Sequence, residues 1–203
     1  MKKILVLSLI FVANALLAQK VDVVSGNFTA LKGQSEVNVV FDYSHFKLMK
    51  ENLTEAQYIQ NRVKELNEKT KGNGEIWKKK WEGAKEMFWT PKFLEIANVV
   101  AKKTKTNLSF QEGLASAKYT LLVEAVWIFP GWDAYMMKQP AKVTTRIKLV
   151  ETANKSKVLA ELLSEEAPGD QWGSNFSNES RIGEGFAKTA KTLGAKFIAK
   201  DVE

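Results

Sequence analysis

Three consecutive segments decide the fold: 118-KYTLLVEAVWIF-129, 141-AKVTTRIKLVE-151 and 157-KVLAELLSEE-166. In the second segment one face carries Val143, Thr145, Ile147 and Leu149, and the other carries Lys142, Thr144, Arg146 and Lys148. In the first segment one face is fully apolar, with Tyr119, Leu121, Val123, Ala125, Trp127 and Phe129. Alternation with a period of two is typical of strands that bury one face of a sheet. The tight link TANKS at 152–156 therefore predicts antiparallel pairing, and the three segments predict a central three-stranded meander.

The rest of the chain adds strands and helices around this meander. KVDVV at 20–24 and EVNVVFDY at 36–43 read as strands, and NLSF at 107–110 reads as a short one. Thr54 and Gln57 form a capping box at the start of a first helix. A second helix carries Trp77 and Trp81 on one face, a third begins at Thr90 with Thr as its cap, and a last helix begins near Asn178.

This order of elements predicts an α+β fold. We expect a two-layer domain in which an antiparallel or mixed sheet of four to five strands, with the meander at its centre, is packed by helices that include the C-terminal one. The 203 residues, of which 45% are hydrophobic, suffice for a single α/β domain with a substantial core.

The N-terminus has the pattern of a secretion signal. Lys2 and Lys3 precede the apolar stretch 4–17, which is short for a membrane span, and cleavage after Ala18 would start the mature chain at Gln19. We therefore expect residues 1–18 to be a signal peptide, residues 19–203 to be the mature domain without a transmembrane segment, and the protein to be periplasmic or secreted in a Gram-negative bacterium.

The chain contains no cysteine, which excludes disulfides, cysteine-bound metals and the lipid anchor of a bacterial lipoprotein. The formal net charge is +7, and loss of Lys2 and Lys3 leaves +5 on the mature chain. The basic residues are spread over helices, which is typical of solvated helix faces and does not indicate a nucleic-acid site. Peripheral contact with anionic lipid stays open.

Signatures of catalysis are absent from the sequence. It has no G-x-S-x-G, H-E-x-x-H or P-loop motif, and its single histidine, His45, excludes a histidine-rich metal site. We expect no catalytic residues, no metal and no cofactor. Asp133 and Asp170 leave one alternative open, because a pair of carboxylates near aromatic side chains is the arrangement used in glycoside hydrolysis.

Two loops predict a binding rim. The segments 130-PGWDAYMMKQP-140 and 168-PGDQWGSNF-176 both begin with Pro-Gly and both carry Asp and Trp. In an up-down-up meander they leave the sheet at the same end. The candidate ligand-binding residues at this end are Trp132, Asp133, Tyr135, Asp170 and Trp172, joined by Asp42, Tyr43 and His45 if the strand at 36–43 runs parallel to the first meander strand. The opposing interpretation is that these aromatic side chains cap the core.

The segments VVFDYS at 39–44 and AKYTLLVEAVWIFPG at 117–131, the helical middle and the last helix beginning near Arg181 resemble a family of small exported α/β proteins of Gram-negative bacteria. More distantly, the order of elements is similar to the group that contains the curli-secretion lipoprotein, the penicillin-binding-protein activators and the TolB N-terminal domain. These resemblances imply an assembly or interaction module, and no functional residue is carried over from them.

The sequence therefore favours a non-catalytic, exported envelope module that binds an envelope protein or a glycan at the Trp/Asp rim. The alternative is a periplasmic or secreted hydrolase that acts on glycans.

Overall fold

The strands and helices follow the predicted order closely. The computed structural model describes residues 19–134, 137–169 and 177–202. The strands are β1 Lys20–Gly26, β2 Glu36–Asp42, β3 Lys47–Leu48, β4 Ser109–Glu112, β5 Tyr119–Phe129, β6 Trp132–Ala134, β7 Met137–Gln139, β8 Ala141–Glu151 and β9 Asn154–Gly169. The helices are α1 Glu55–Lys69, α2 Asn73–Ala84, α3 Thr90–Lys103, α4 Asn178–Leu193 and α5 Ala199–Val202, with π-helical turns over Lys85–Trp89 and Gly194–Ile198.

Seven of these strands form one mixed sheet. Its order is β1-β9-β8-β5-β2-β4, with β3 also beside β5. The β5-β8-β9 meander is antiparallel, as predicted, whereas β2 runs parallel to both β4 and β5. The sheet is larger than the predicted four to five strands. The short strand expected at 107–110 pairs into it as β4, and the unpredicted two-residue β3 pairs into it as well. The remaining strands, β6 and β7, pair with each other as a separate ribbon.

The helices cover one face of the sheet and leave the other partly exposed. On β8 the buried positions Val143, Ile147 and Leu149 alternate with half-buried Lys142, Arg146 and Lys148. Helix α4 lies across β8 and β9 so closely that a Cβ at Gly185 would come within 2.5 Å of Val143 Cγ2. The predicted two-layer arrangement, with the last helix across the sheet, is therefore present.

A bulge in β5 corrects one prediction about its faces. Ala125 pairs with Thr145 but Trp127 pairs with Thr144, so Val126 is an extra residue in the strand. Because one extra residue exchanges the two faces of a strand, Ile128 enters the core in place of Trp127. The prediction that Trp127 and Phe129 share a face with Leu121 and Val123 is therefore wrong.

The starts of the helices agree only in part with the sequence patterns. The predicted capping box is present: Gln57 N donates to Thr54 Oγ1, and Thr54 N donates to Gln57 Oε1 at 2.9 Å. Thr90, however, has helical dihedral angles and is not a cap. A π-helical turn connects α2 to α3 without a break, and it brings Trp89 into the core, where its Nε1–H donates to Glu179 O at 3.0 Å.

At the centre of the edge strand β4, a side chain forms hydrogen bonds with the backbone N–H and C=O groups of Phe110. Asn98, on α3, donates from Nδ2 to Phe110 O and accepts from Phe110 N at Oδ1, both at 2.9 Å. An edge strand otherwise presents such groups to any extended chain. The opposite edge of the sheet is β1, where Val23 and Val24 are both exposed.

Within the three described ranges no helix has the length and apolar character needed to cross a membrane.

Candidate functional site

The ends of the meander strands lie together, as the rim hypothesis requires. Ala141 at the start of β8 pairs with Gly169 at the end of β9, and Lys142 pairs with both Phe129 and Pro168. The two Pro-Gly sequences therefore lie at the same end of the sheet. Tyr135, Met136 and the second loop with Asp170, Trp172 and Phe176 lie outside the described residues, so their placement at the rim stays a prediction.

The first loop forms a short ribbon that holds Trp132 and Asp133 at the surface. Trp132 pairs with Gln139 and Asp133 pairs with Lys138. Gly131 has φ +70°, and a Cβ there would lie 2.4 Å from Gln139 O, so the turn into the ribbon needs a glycine. The Trp132 side chain is 41% exposed and Asp133 is exposed as well. For Trp132 this contradicts the core-cap interpretation.

The ribbon forms one wall of a cavity of about 360 Å³. We call it the rim cavity; its lining residues are Met49, Tyr58, Arg62, Glu65, Phe129, Pro130, Gly131, Trp132, Asp133, Asn178 and Arg181. They come from the turn after β3, from the end of β5 and the ribbon, from α1, and from the first turn of α4. The volume lies within the range of small-ligand sites, and apolar walls with a few convergent polar groups are typical of such sites.

An arginine and a glutamate from α1 form the charged wall of the rim cavity. Arg62 Nη1 lies 2.6 Å from Glu65 Oε2, and Lys69 Nζ lies 2.8 Å from Glu65 Oε1. Hydrogen bonds from these two cations hold the pKa of the Glu65 carboxyl below its usual value. Arg62 Nε is buried and has no hydrogen-bond partner among the residues that the structure describes. The guanidinium therefore retains a donor that Glu65 does not use.

A buried phenol and an amide complete the polar lining. Tyr58 is 8% exposed, and burial raises its pKa to about 12, while the nearby Arg62 charge and a side-chain hydrogen bond with Asn178 act in the opposite direction. The hydroxyl is therefore neutral at physiological pH. Arg181 Nη2 donates to Asn178 Oδ1 within the first turn of α4, so both side chains are held where they line the cavity. The lining thus offers both donors and acceptors.

Among the predicted site residues that the structure describes, Asp42, Tyr43 and His45 do not line the rim cavity. Asp42 accepts hydrogen bonds from Ser44 N and Oγ at 2.8 and 2.5 Å, and these bonds lower the pKa of its carboxyl. Tyr43 packs beneath the helices, where its hydroxyl lies 3.0 Å from Thr90 Oγ1 and burial raises its pKa. His45 is exposed in the connection after β2. Although β2 is parallel to β5 as required, Asp42 pairs with Glu124, well before the end of β5.

The helix-borne walls of the cavity were not predicted. Neither Tyr58 nor Arg62 was among the site residues expected from the sequence. A usable signal was present, because Tyr58, Arg62 and Glu65 are spaced at i, i+4 and i+7 and lie on one face of α1. Nothing in the sequence indicated that this face would meet the end of β5.

The described residues hold no cluster of metal ligands, and they include only one of the two carboxylates of the hydrolase hypothesis. Over 19–134, 137–169 and 177–202 no group of three or more histidines, aspartates or glutamates is arranged to hold a metal ion. The paired-carboxylate hypothesis depends on the separation of Asp133 from Asp170, and it stays a prediction because Asp170 is outside those ranges.

Comparisons with known proteins find only distant structural similarity. No protein-family model and no curated protein matches the chain. A point variant of the PelC dodecamer from Paraburkholderia phytofirmans is 12% identical, with a TM-score of 0.39, over 91% of this chain and 98% of that one. A second PelC dodecamer structure from the same organism is 12% identical, with a TM-score of 0.38, over 90% and 96%. Similarity this low carries no weight for fold or function.

Proposed function

We propose that this protein is an exported, non-catalytic binding module of the bacterial envelope that holds a glycan in the rim cavity. The observation that carries the proposal is the exposed Trp132 indole beside exposed Asp133 at the mouth of a cavity that Arg62, Tyr58 and Asn178 line. The ring offers a flat apolar surface for the C–H face of a sugar. The carboxylate, guanidinium, hydroxyl and amide supply the donors and acceptors that sugar hydroxyls require.

The test is a glycan-array screen of the purified protein, followed by calorimetry on the hits. Trp132→Ala should weaken binding about tenfold or more, because the stacking surface is lost. Met137→Ala is the matched control, since Met137 lies on the same ribbon and is 66% exposed but does not line the cavity. If Trp132→Ala binds every glycan found on the array as tightly as the wild type does, the rim cavity is not the glycan-binding site.

A protein partner is the second candidate, and the ribbon itself favours it. Trp132 and Met137 are both large, apolar and exposed on the two strands of the ribbon. Exposed aromatic anchors of this kind often carry much of the energy of protein interfaces. Met137→Ala distinguishes the candidates, because it should weaken capture of an envelope protein by the purified chain and leave glycan binding unchanged.

The exported location belongs to the same proposal. It rests on the signal-like pattern of residues 1–18. Mass spectrometry of the protein recovered outside the cytoplasm should show a chain that begins near Gln19. An intact Met1 on that species would contradict cleavage.

A further inference from the structure

A second cavity adjoins the rim cavity and shares two of its residues. Its volume is about 400 Å³, and its lining residues are Arg62, Leu66, Asn73, Ile76, Trp77, Lys80, Ser177, Asn178 and Glu179. We call it the Trp77 cavity. Arg62 and Asn178 line both cavities, so the two cavities lie side by side between Trp132 at the end of the sheet and Trp77 on α2, and together we call them the groove.

Two residues that line the Trp77 cavity each carry a buried polar atom without a hydrogen-bond partner among the described residues. Glu179 is only 5% exposed, and its Oε1 has no hydrogen-bond partner among the described residues. The same holds for the buried Nε of Arg62. A buried polar atom without a partner is costly, which makes such atoms informative about what a site binds. One is an acceptor and the other a donor, so a group that both donates and accepts suits them.

The apolar part of this cavity is flat and aromatic. Trp77 is half-buried, and it is held by Tyr58 and Trp81, whose ring centroids lie 5.8 and 5.5 Å away. Its indole is therefore fixed in place before any ligand arrives. Ile76 next to it is 59% exposed, and Lys80 is exposed one turn further along α2.

We infer that the groove binds an oligosaccharide chain, with one sugar residue on Trp132 and another on Trp77. A sugar hydroxyl donates and accepts at once, as Glu179 Oε1 and Arg62 Nε require. Each cavity alone has the volume of a small-ligand site, so a single monosaccharide fills only part of the groove. The inference rests on the proposed glycan-binding function and adds that the ligand is a chain.

The experiment measures affinity against chain length. The probes are chitin fragments and cellulose fragments, each from the monosaccharide to the hexasaccharide, titrated into the purified protein by calorimetry. In the wild type the affinity should rise about tenfold or more once the chain reaches both tryptophans. Trp77→Ala should abolish this rise and leave the affinity for the shortest binding fragment unchanged. Trp132→Ala should weaken all lengths.

A second pair of variants guards against loss of folding in Trp77→Ala. Lys80→Ala and Lys79→Ala each remove one exposed lysine from α2, but only Lys80 lines the groove. Lys80→Ala should weaken the long fragments severalfold, and Lys79→Ala should not change their affinity. If fragments bind without any gain with length, or if Lys80→Ala and Lys79→Ala behave alike, the chain inference is wrong while glycan binding stands. If neither series binds and the glycan array is blank, the proposed function falls as well.

Discussion

At the scale of single residues, Trp81 is the clearest contributor to stability. Its side chain is fully buried, its ring lies 5.0 Å from that of Tyr58 and 5.4 Å from that of Trp89, and its Nε1–H donates to Glu55 Oε1 at 2.9 Å. Trp81→Ala removes this ring and leaves a cavity, so we expect the free energy of unfolding to fall by about 3–5 kcal/mol. Urea denaturation followed by circular dichroism measures it.

Ile76→Ala provides the control for this measurement. It shortens an apolar side chain on the same helix that is 59% exposed, and we expect a change within about 0.5 kcal/mol. A Trp81→Ala midpoint equal to that of Ile76→Ala would show that the ring contributes no packing energy.

Because Tyr58 is buried, the free energy of unfolding depends on pH in the alkaline range. The pKa of Tyr58 is about 12 in the folded state, whereas the pKa of a tyrosine in the unfolded chain is about 10. Between these values the folded state keeps a proton that the unfolded state loses. The protonated Tyr58 hydroxyl therefore contributes fully to the free energy of unfolding below about pH 10. As the pH rises towards 12, this contribution declines by about 1.4 kcal/mol per pH unit.

The measurement compares the wild type with Tyr58→Phe in urea at a series of alkaline pH values. Tyr43 stays in both proteins, and its raised pKa acts in the same direction, so only the difference between the two slopes reports on Tyr58. The wild type should lose stability more steeply above pH 10. Parallel slopes for the two proteins would contradict a buried, neutral Tyr58.

At the scale of elements, the contact of α4 with the sheet depends on a glycine. A Cβ at Gly185 would lie 2.5 Å from Val143 Cγ2 and 3.1 Å from Ala167 O. Gly185→Ala must therefore displace either α4 or the Val143 side chain, and we expect it to lower the free energy of unfolding by about 1–3 kcal/mol. Thermal unfolding of the purified variant is a suitable measurement.

Gly83→Ala is the matched comparison within a different helix. Gly83 lies in α2, and the only atom near a Cβ added there, among the described residues, is Met87 Sδ at 3.3 Å, at the end of a flexible, exposed side chain. Alanine is the better helix former, so this variant should be more stable by up to about 1 kcal/mol. Equal effects of the two substitutions would show that close packing of α4 is not what Gly185 provides.

The meander and the helices could be predicted from the sequence because their patterns are local. The alternation in 141–151 and the capping box at Thr54 each lie within a few residues. The bulge at Val126 could not be predicted, because it depends on which residue of β8 each residue of β5 faces. Strand β3 was not predicted for a similar reason: a segment of two residues becomes a strand only through its neighbours.

In the candidate site, too, local features could be predicted and contacts between distant segments could not. Trp132 and Asp133 were predicted from the composition of a loop, and in the structure both line a cavity. The opposite wall comes from Arg62 on α1 and Asn178 on α4, which are far apart in the chain. Their meeting is a product of the whole fold, so local patterns carry no signal for it.

At the scale of the whole molecule, the sheet has two unlike edges. The amide of Asn98 occupies the backbone groups of Phe110 in β4. Asn98→Ala frees these groups, and we expect association that increases with protein concentration, measured by light scattering. Asn61→Ala, which removes an exposed amide from α1, should scatter like the wild type. Unchanged scattering of Asn98→Ala at high concentration would show that Asn98 does not protect the edge.

The blocked edge limits the number of places at which one folded molecule can join another, a number that polymer chemists call the functionality of a subunit. A subunit that can join others at two ends grows into a chain without limit, whereas a subunit with one reactive end stops after a single coupling. With Phe110 occupied, only β1 remains, within the described sheet, as an edge where another strand can be added. If strands add at β1 alone, association ends with a pair of molecules, and Asn98 acts as a chain terminator against fibre growth.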